Sequence, residues 1–338
     1  AAVISLLPNP NILRRPYELK EALASARIEG TQADIEGVLE SERAPMPSSE
    51  AVNLVTRQLP ALERGLAAIR EGARPPFDVL LEVHRILLQP APHLDGLRQN
   101  PVWLGSPTDR PETAAFVPPV GAALHAGIED WNRYVIEPPP LPALVRAALL
   151  HYQFLTVHPF IDGNGRVGRM MVLLFLASEN RLTTPVLYLS PYFERRRLEY
   201  YDRLQAVRER GDIQQWLQFF LTAIESQATD GVRRARQLLE LREDYRAALK
   251  NSRNRSLAVV DLMFENPVVT SSIVRDYLDV STQGALNLIR RLEDRGWLTQ
   301  IGTAGRGAAT IWMAQQIFDV TFRDLDVLET RGDGTAAR

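Results

Sequence analysis

Apolar side chains recur every three to four positions through most of this chain, and that spacing predicts helices nearly throughout. In "YELKEALASARIEG" (17–30) Leu19, Leu23, Ala26 and Ile28 fall on one side, and Gly30 supplies a helix end. The next pattern, "SSEAVNLVTRQLPALERGLAAI" (48–69), opens with serine and a nearby glutamate, an N-cap signal, and Pro60 must end or kink it. "FDVLLEVHRILL" (77–88) gives another helix. From Gln89 to Pro119 the periodicity stops; prolines, glycines and the fragments "VWLG" and "AAFVPP" predict a loop or a short hairpin. Helical spacing resumes at 120–135, 141–157, 166–179, 194–209 and 212–249, and the polar "NSRNR" (251–255) predicts a linker. Beyond it, "SLAVVDLMFEN", "TSSIVRDYLD", "STQGALNLIRRLEDRG" and "WLTQIGTAGRGAATIWMA" predict helix, helix, helix and β-ribbon, the order of a winged helix. The tail "TRGDGTAAR" is expected to be disordered, and no internal repeat is visible.

Composition refines this picture mainly by exclusion. The chain has 338 residues, 45% hydrophobic and 24% charged, with a net charge of −2. Such a balance gives no default attraction to nucleic acid or membrane. The absence of cysteine excludes a disulfide framework, an iron–sulfur cluster and a cysteine nucleophile, and suits a reducing compartment. The opening "AAVISLLPNPNILRRP" has no basic residue ahead of its apolar run, which Pro8 and Pro10 interrupt, so it is not read as a signal peptide. The longest apolar run, "MMVLLFLA" (170–177), is too short to span a bilayer. The expectation is a soluble, cytoplasmic protein without membrane contact.

The densest chemistry lies in "HPFIDGNGRVGRM" (158–170), which contains a G-x-G-x-x-G match. A dinucleotide fingerprint needs a buried strand before it and an acid about 20 residues on. Here the preceding "LVRAALLHYQFLTV" has helical spacing and no acid stands at that distance, so the match is a coincidence. An Asn-Gly hairpin turn fails too, because "RVGRMMVLLFLASEN" continues as a helix apolar on nearly all sides, the mark of a central one. The stretch therefore reads as helix, glycine-rich loop, helix. Free N–H groups of Gly163, Asn164 and Gly165 meet the positive end of a helix dipole, an arrangement suited to phosphates. Arg166 and Arg169 share the first turn, where two cations oppose the dipole at a cost of tenths of a kcal/mol to ~1 kcal/mol. A polyanionic ligand offsets that cost. Asp162 is placed to hold a Mg²⁺ that bridges phosphates, and His158, ending the preceding helix, to take a proton from an incoming hydroxyl.

His158-Pro159-Phe160-Ile161-Asp162-Gly163-Asn164-Gly165-Arg166-Val167-Gly168-Arg169 resembles the signature H-P-F-x-D/E-G-N-G-R-x-x-R of the Fic (Fic/Doc) family, with every defined position filled. The resemblance implies an all-α core with a short β-hairpin flap that transfers AMP from ATP to a Ser, Thr or Tyr hydroxyl of a target protein or of itself. It implies His158 as the base, Asp162 as the Mg²⁺ ligand, and residues Gly163, Asn164, Gly165, Arg166, Val167, Gly168 and Arg169 around the phosphates. Kinase-like Doc relatives carry Lys where Gly165 stands, and this chain keeps the glycine.

Three further segments take roles from the same resemblance. Ser25-Ala26-Arg27-Ile28-Glu29-Gly30 is similar to the family's inhibitory motif S/T-x-x-x-E-G/N, with Ser25, Glu29 and Gly30 at its defined positions. Physically, Glu29 would neutralise Arg169 when no nucleotide is bound, and a bidentate carboxylate–guanidinium pair would exclude or misplace the γ-phosphate. "RQNPVWLGSP" with "AAFVPP" resembles the flap that pins a target segment by main-chain pairing, which puts Val102, Leu104 and Gly105 beside the active site; an ordinary hairpin with Trp103 packed inward fits the same residues. "LYLSPYFERRRLEYYDRLQ" (187–205) resembles the segment that lines the nucleoside pocket, with Tyr188, Leu189, Tyr192 and Arg196 as candidates; many relatives carry Asn where Arg196 stands. His151, seven residues before His158, lacks the further ligands a zinc site needs and reads as a hydrogen-bonded structural histidine, while His84, His93 and His125 form no constellation.

The expected organisation is an N-terminal helical region (1–72) with the inhibitory motif, a Fic catalytic core (73–225), a connecting helix and linker (226–254), a winged helix (255–315) and a C-terminal helix and tail (316–338). In the winged helix Thr282, Gln283, Asn287, Arg290 and Arg291 would be exposed on the second helix of its helix-turn-helix. Its arginines are balanced by equal numbers of acids, a weak electrostatic footprint for DNA, so DNA, a protein partner and homodimerisation all stay open. The reading is a protein adenylyltransferase using ATP and Mg²⁺, held off by its own Glu29. Two alternatives stay open: a DNA-binding regulator whose core only senses nucleotide, and an enzyme of this fold with another donor (a different nucleotide, phosphocholine or phosphate) or one that removes AMP.

Overall fold

The computed structural model describes residues 11–43, 49–72, 76–89, 91–94, 96–105, 110–182, 187–250, 255–304 and 309–326. The opening proline-broken run, most of the expected linker and the expected disordered tail lie outside these residues. What is described is mainly helical: α1 (Asn11–Ile28), α2 (Ile35–Ser41), α3 (Glu50–Thr56), α4 (Gln58–Arg70), α5 (Phe77–Leu88), α6 (Ala122–Ile136), α7 (Ala143–Val157), α8 (Asn164–Ser178), α9 (Ser190–Arg195), α10 (Arg197–Arg210), α11 (Ile213–Leu249) and α12 (Ser256–Glu265). After these come β1 (Val268–Thr270), α13 (Ser271–Leu278), α14 (Thr282–Glu293), β2 (Thr299–Ala304), β3 (Ala309–Met313) and α15 (Gln315–Asp326). Among the described residues no helix is long and apolar enough to cross a membrane.

The helical spacing is visible in the elements, and the departures have local causes. The 48–69 pattern divides into α3 and α4 at Arg57, because Pro60 cannot donate to the preceding turn. Ser49 caps α3, its hydroxyl accepting from Val52 N at 3.2 Å. Likewise the expected 194–209 helix is two, α9 and α10, broken at Arg196 (φ −124°). The first helix begins at Asn11 rather than Tyr17 and carries Pro16 inside it.

The chain divides into two compact units. One contains residues 25–31 and 56–228; the other contains residues 1–24, 32–55 and 229–338. In the first, α7 and α8 pack on each other, and α4 and α5 cover α8. Helix α8 is buried on nearly all sides from Asn164 to Leu176, as its unbroken apolar run demands. Packing is close enough that a Cβ on Gly65 of α4 would come within 2.7 Å of Leu174. Where a hairpin flap was expected, the described residues show one antiparallel bridge, Leu104 to Phe116. In the second unit, α12, α13 and α14 accompany a three-stranded antiparallel sheet of order β1-β3-β2, whose first strand lies between α12 and α13. The spacing did not reveal β1, three residues paired to the far side of β3. Serine and threonine caps open both helices of the turn: Thr270 Oγ1 accepts from Ile273 N for α13, and Ser281 Oγ accepts from Gly284 N for α14. Asn266 ties this module to the N-terminal helices, its Nδ2 donating to the Leu39 carbonyl (3.3 Å) and to Glu42 Oε2 (3.0 Å).

Candidate active site

The site is built where α7 stops and α8 starts. His158 caps α7 in the left-handed conformation (φ 49°), which turns the chain away from the helix axis. A non-glycine residue held there stores about 1 kcal/mol of strain, so something must hold it. Gly163 then opens α8 at φ 83°, a conformation in which a Cβ would be strained. The loop between them is closed by Asn164, whose side chain accepts from Phe160 N (2.9 Å) and donates to the Phe160 carbonyl (2.8 Å). That side chain shapes the loop, and only the Asn164 backbone is left to face a ligand. The N–H groups of Asn164, Gly165 and Arg166 begin a helix and have no carbonyl within it to bond.

Two arginines lie against this helix start, both nearly fully buried. Arg166 Nη2 donates to Asp162 Oδ2 at 2.8 Å, while its buried Nε has no partner among the described residues. Asp162 is largely exposed, and its Oδ1 accepts from Gly163 N at 2.6 Å. Arg169 reaches α1: its Nε donates to Ser25 Oγ (2.9 Å), and its Nη2 donates to the Ser25 carbonyl (2.9 Å) and to Glu29 Oε1 (2.8 Å). The expected bidentate carboxylate pair is therefore shared; Glu29 takes one nitrogen and Ser25 supplies the rest. Burial works against the Arg169 charge, but Glu29 and the hydroxyls of Tyr200 and Tyr201 outweigh it and hold the guanidinium above its ordinary range. Glu29 also overlies Gly165, so that a Cβ there would collide with its carboxylate and with Arg169 Nη1. Gly30 turns the chain after it at φ 90°.

His158 is neutral across the physiological range. Burial drives its pKa down to about 4, helped by the nearby Arg98 and Arg208 and opposed by the Leu155 carbonyl and Glu29. Its Nδ1 faces the Leu155 carbonyl at 3.4 Å, leaving Nε2 as the atom to accept a proton.

Three supporting residues surround the loop, and of these only His151 was legible in the sequence, as a hydrogen-bonded structural histidine. His84 lies under the loop, stacked on Phe160 with ring centroids 3.7 Å apart and with Nε2 3.0 Å from the Asp162 carbonyl. His151 is buried behind Arg169, with Nδ1 2.9 Å from the Gly168 carbonyl and Nε2 2.8 Å from the Tyr200 hydroxyl. The carbonyl can only accept, so Nδ1 carries the proton and Tyr200 donates to Nε2. Arg98 stands in the flap-like segment of the sequence, yet it is almost wholly buried and bonds to the His158 carbonyl at 2.7 Å. Spacing carries no signal for such contacts, since each joins elements far apart in sequence.

The remaining candidates fall outside this cluster or at its margin. Tyr188, Leu189 and Tyr192 are buried, and Tyr192 packs edge-on to Phe193 and Phe219 with the Arg196 guanidinium 4.2 Å from its ring centre. Leu104 forms the flap bridge with Val102 and Gly105 on either side, and Trp103 is exposed, not packed inward. Val167 and Gly168 are buried inside α8, and Gly168 packs against Phe154, Leu155 and His151.

A helix start with an orphaned guanidinium nitrogen, a second buried cation and free amides fits a polyphosphate. Mg²⁺ needs few protein ligands when phosphates supply the others, and the exposed Asp162 carboxylate meets that need. No group of three or more His, Cys, Asp or Glu that could hold a metal by itself is found among the described residues.

Fold and site thus define a helical core with a cationic cradle at one helix start, and comparison with known proteins gives the family. Residues 76–176 match the Fic/DOC family, residues 1–67 its N-terminal family, and residues 257–312 an HTH DNA binding domain. The chain belongs to the Fic/DOC family. It is 32% identical over 155 residues to "Protein adenylyltransferase Fic" of Drosophila willistoni, covering 43% of this chain and 27% of the relative. The Drosophila yakuba protein of the same name is 30% identical over 152 residues, with the same coverage. The chain thus matches 27% of the length of these curated relatives. Among solved structures, a Fic family protein from Desulfovibrio desulfuricans G20 superposes with a TM-score of 0.57 at 18% identity, over 92% of this chain and 89% of that one. Fic-1 from C. elegans gives 0.52 at 23% identity, over 70% and 69%. At these identities the structures speak for the fold alone.

Proposed function

We propose that the protein is an adenylyltransferase that moves AMP from ATP to a Ser, Thr or Tyr hydroxyl of a target protein or of itself, and that Glu29 holds it off. The observation that supports this best is the occupancy of Arg169: the cation expected to face the terminal phosphates is bonded to Ser25 and Glu29 from the same chain. Triphosphate and Glu29 compete for one guanidinium, so nucleotide enters productively only when Glu29 withdraws.

In the transfer itself, a hydroxyl oxygen forms a bond to the α-phosphorus as the bond to the bridging oxygen breaks, and pyrophosphate leaves. His158 Nε2 takes the hydroxyl proton; its low pKa keeps the acceptor site empty at neutral pH. The amides at the start of α8 and the two arginines hold the developing negative charge. Asp162, which accepts from Arg166, would hold Mg²⁺, which when bound offsets phosphate charge. Leu104 and its neighbours would pair with the backbone of the target. Mass spectrometry of the Glu29→Gly protein after incubation with ATP is expected to show added AMP, lost when the divalent cation is chelated. Added phosphate or phosphocholine would point to a different donor.

We also infer that α14 contacts DNA. The match to an HTH DNA binding domain supports this, as does the row of exposed Thr282, Gln283, Asn287, Arg290 and Arg291.

A further inference from the structure

Two guanidinium groups near His158 have no acidic partner among the described residues. Arg98 lies almost wholly inside the protein and spends its donors on carbonyls: Nε on His158 (2.7 Å), Nη2 on Val157 (3.3 Å) and Pro119, and Nη1 on Asn100 (3.4 Å). Its own N–H donates to the Pro159 carbonyl at 3.0 Å. Arg208 of α10 donates from Nη2 to the Leu155 carbonyl (3.3 Å), and its guanidinium lies 4.0 Å from the centre of the Phe116 ring. Its neighbour on the helix, Gln205, donates to the Ala115 carbonyl at 2.7 Å. Burial lowers the pKa of both arginines, so each is held in place without a carboxylate to offset the cost.

The partners fall into two groups. Val157, His158 and Leu155 form the C-terminal end of α7, where carbonyls lack helical donors and favour cations. Ala115, Phe116 and Pro119 form the return segment of the flap, whose bridge to Leu104 is its only described strand pairing. Each arginine touches both groups. We propose that Arg98 and Arg208 are positioning residues that lock the flap's return segment to the turn carrying His158, so that a backbone docked on the flap arrives in register with the imidazole. The same clamp accounts for the left-handed His158, since Arg98 bonds the carbonyl of that residue itself. The proposal rests on the reading of the site as a hydroxyl-directed transferase, and neither arginine touches nucleotide or the reacting atoms.

The test places Arg98→Lys and Arg208→Lys separately in the Glu29→Gly protein. Lysine keeps the charge but cannot span carbonyls on two segments. The transfer rate from ATP at saturation is expected to fall about 100-fold, as for a misplaced reacting group, while calorimetric affinity for Mg-ATP stays within about twofold. An unchanged rate, or affinity reduced in proportion to rate, would overturn the proposal. If Glu29→Gly transfers nothing, the transferase reading fails, and the clamp is judged by amide exchange alone. The amides of His158 and Phe116, bonded to the Phe154 and Leu104 carbonyls, should then exchange at least about 10-fold faster in both variants, with those of α8 unchanged. Unaltered exchange there overturns the clamp whatever the activity. Should Arg98→Lys not fold, Arg208→Lys carries both readouts.

Discussion

On the proposed reading, Arg169 serves two states. Buried without a partner it would be costly, and Ser25 and Glu29 remove that cost in the nucleotide-free protein. Gly165 is the residue that lets Glu29 in. In Gly165→Ala the added methyl displaces a flexible carboxylate, so folding should suffer little, yet the methyl also intrudes where phosphate must sit. Calorimetry should therefore show tighter Mg-ATP binding for Glu29→Gly than for wild type, but none of that gain for Gly165→Ala; equal gains would place the phosphates elsewhere. His151 and His158 make a separate pH prediction. Burial lowers His151 to about 3 and His158 to about 4, against about 6.5 in an unfolded chain. Between those values the unfolded state binds more protons, so stability is complete above about pH 6.5 and declines as pH falls toward the folded values, by up to ~1.4 kcal/mol per pH unit for each histidine. Urea midpoints at pH 7.5 and 5 should converge in His151→Gln relative to wild type. An identical pH response in the two proteins would mean that His151 is not held neutral.

Helices were the legible elements because each is a local period: α5, α7, α8 and α14 lie close to where their apolar spacing puts them. Breaks inside a continuous pattern were less legible. Nothing in the spacing of 194–209 distinguishes one helix from α9 and α10, since a single non-helical residue at Arg196 makes the break. Strand β1 escaped notice because three residues carry no alternation, and it is fixed by pairing with β3 far along the chain. For the site, the motif from His158 to Arg169 was readable in full because its parts are contiguous. The clamp arginines, His84 and Tyr200 were not, because their contacts cross between elements. Helix α14 supplies the test at this scale. If it enters a DNA groove, binding of a labelled duplex should weaken with salt. Arg290→Ala with Arg291→Ala should then lower the log–log salt slope by about 1 for each phosphate left without its cation. Binding that ignores both arginines, or no salt-dependent binding at all, would assign α14 to a protein partner.

Across the whole chain, the two compact units do not follow sequence order. Residues 25–31, with the candidate inhibitory motif, group with the catalytic helices, while the rest of α1 groups with the winged helix. One helix thus belongs to both units. The central claim, that this chain transfers AMP and restrains itself through one carboxylate, is tested most directly by covalent labelling with α-labelled ATP, comparing wild type, Glu29→Gly and the double variant Glu29→Gly/His158→Ala. The account predicts strong labelling of Glu29→Gly, little of wild type and none of the double variant. Equal labelling of wild type and Glu29→Gly, or labelling that survives the loss of His158, would contradict it.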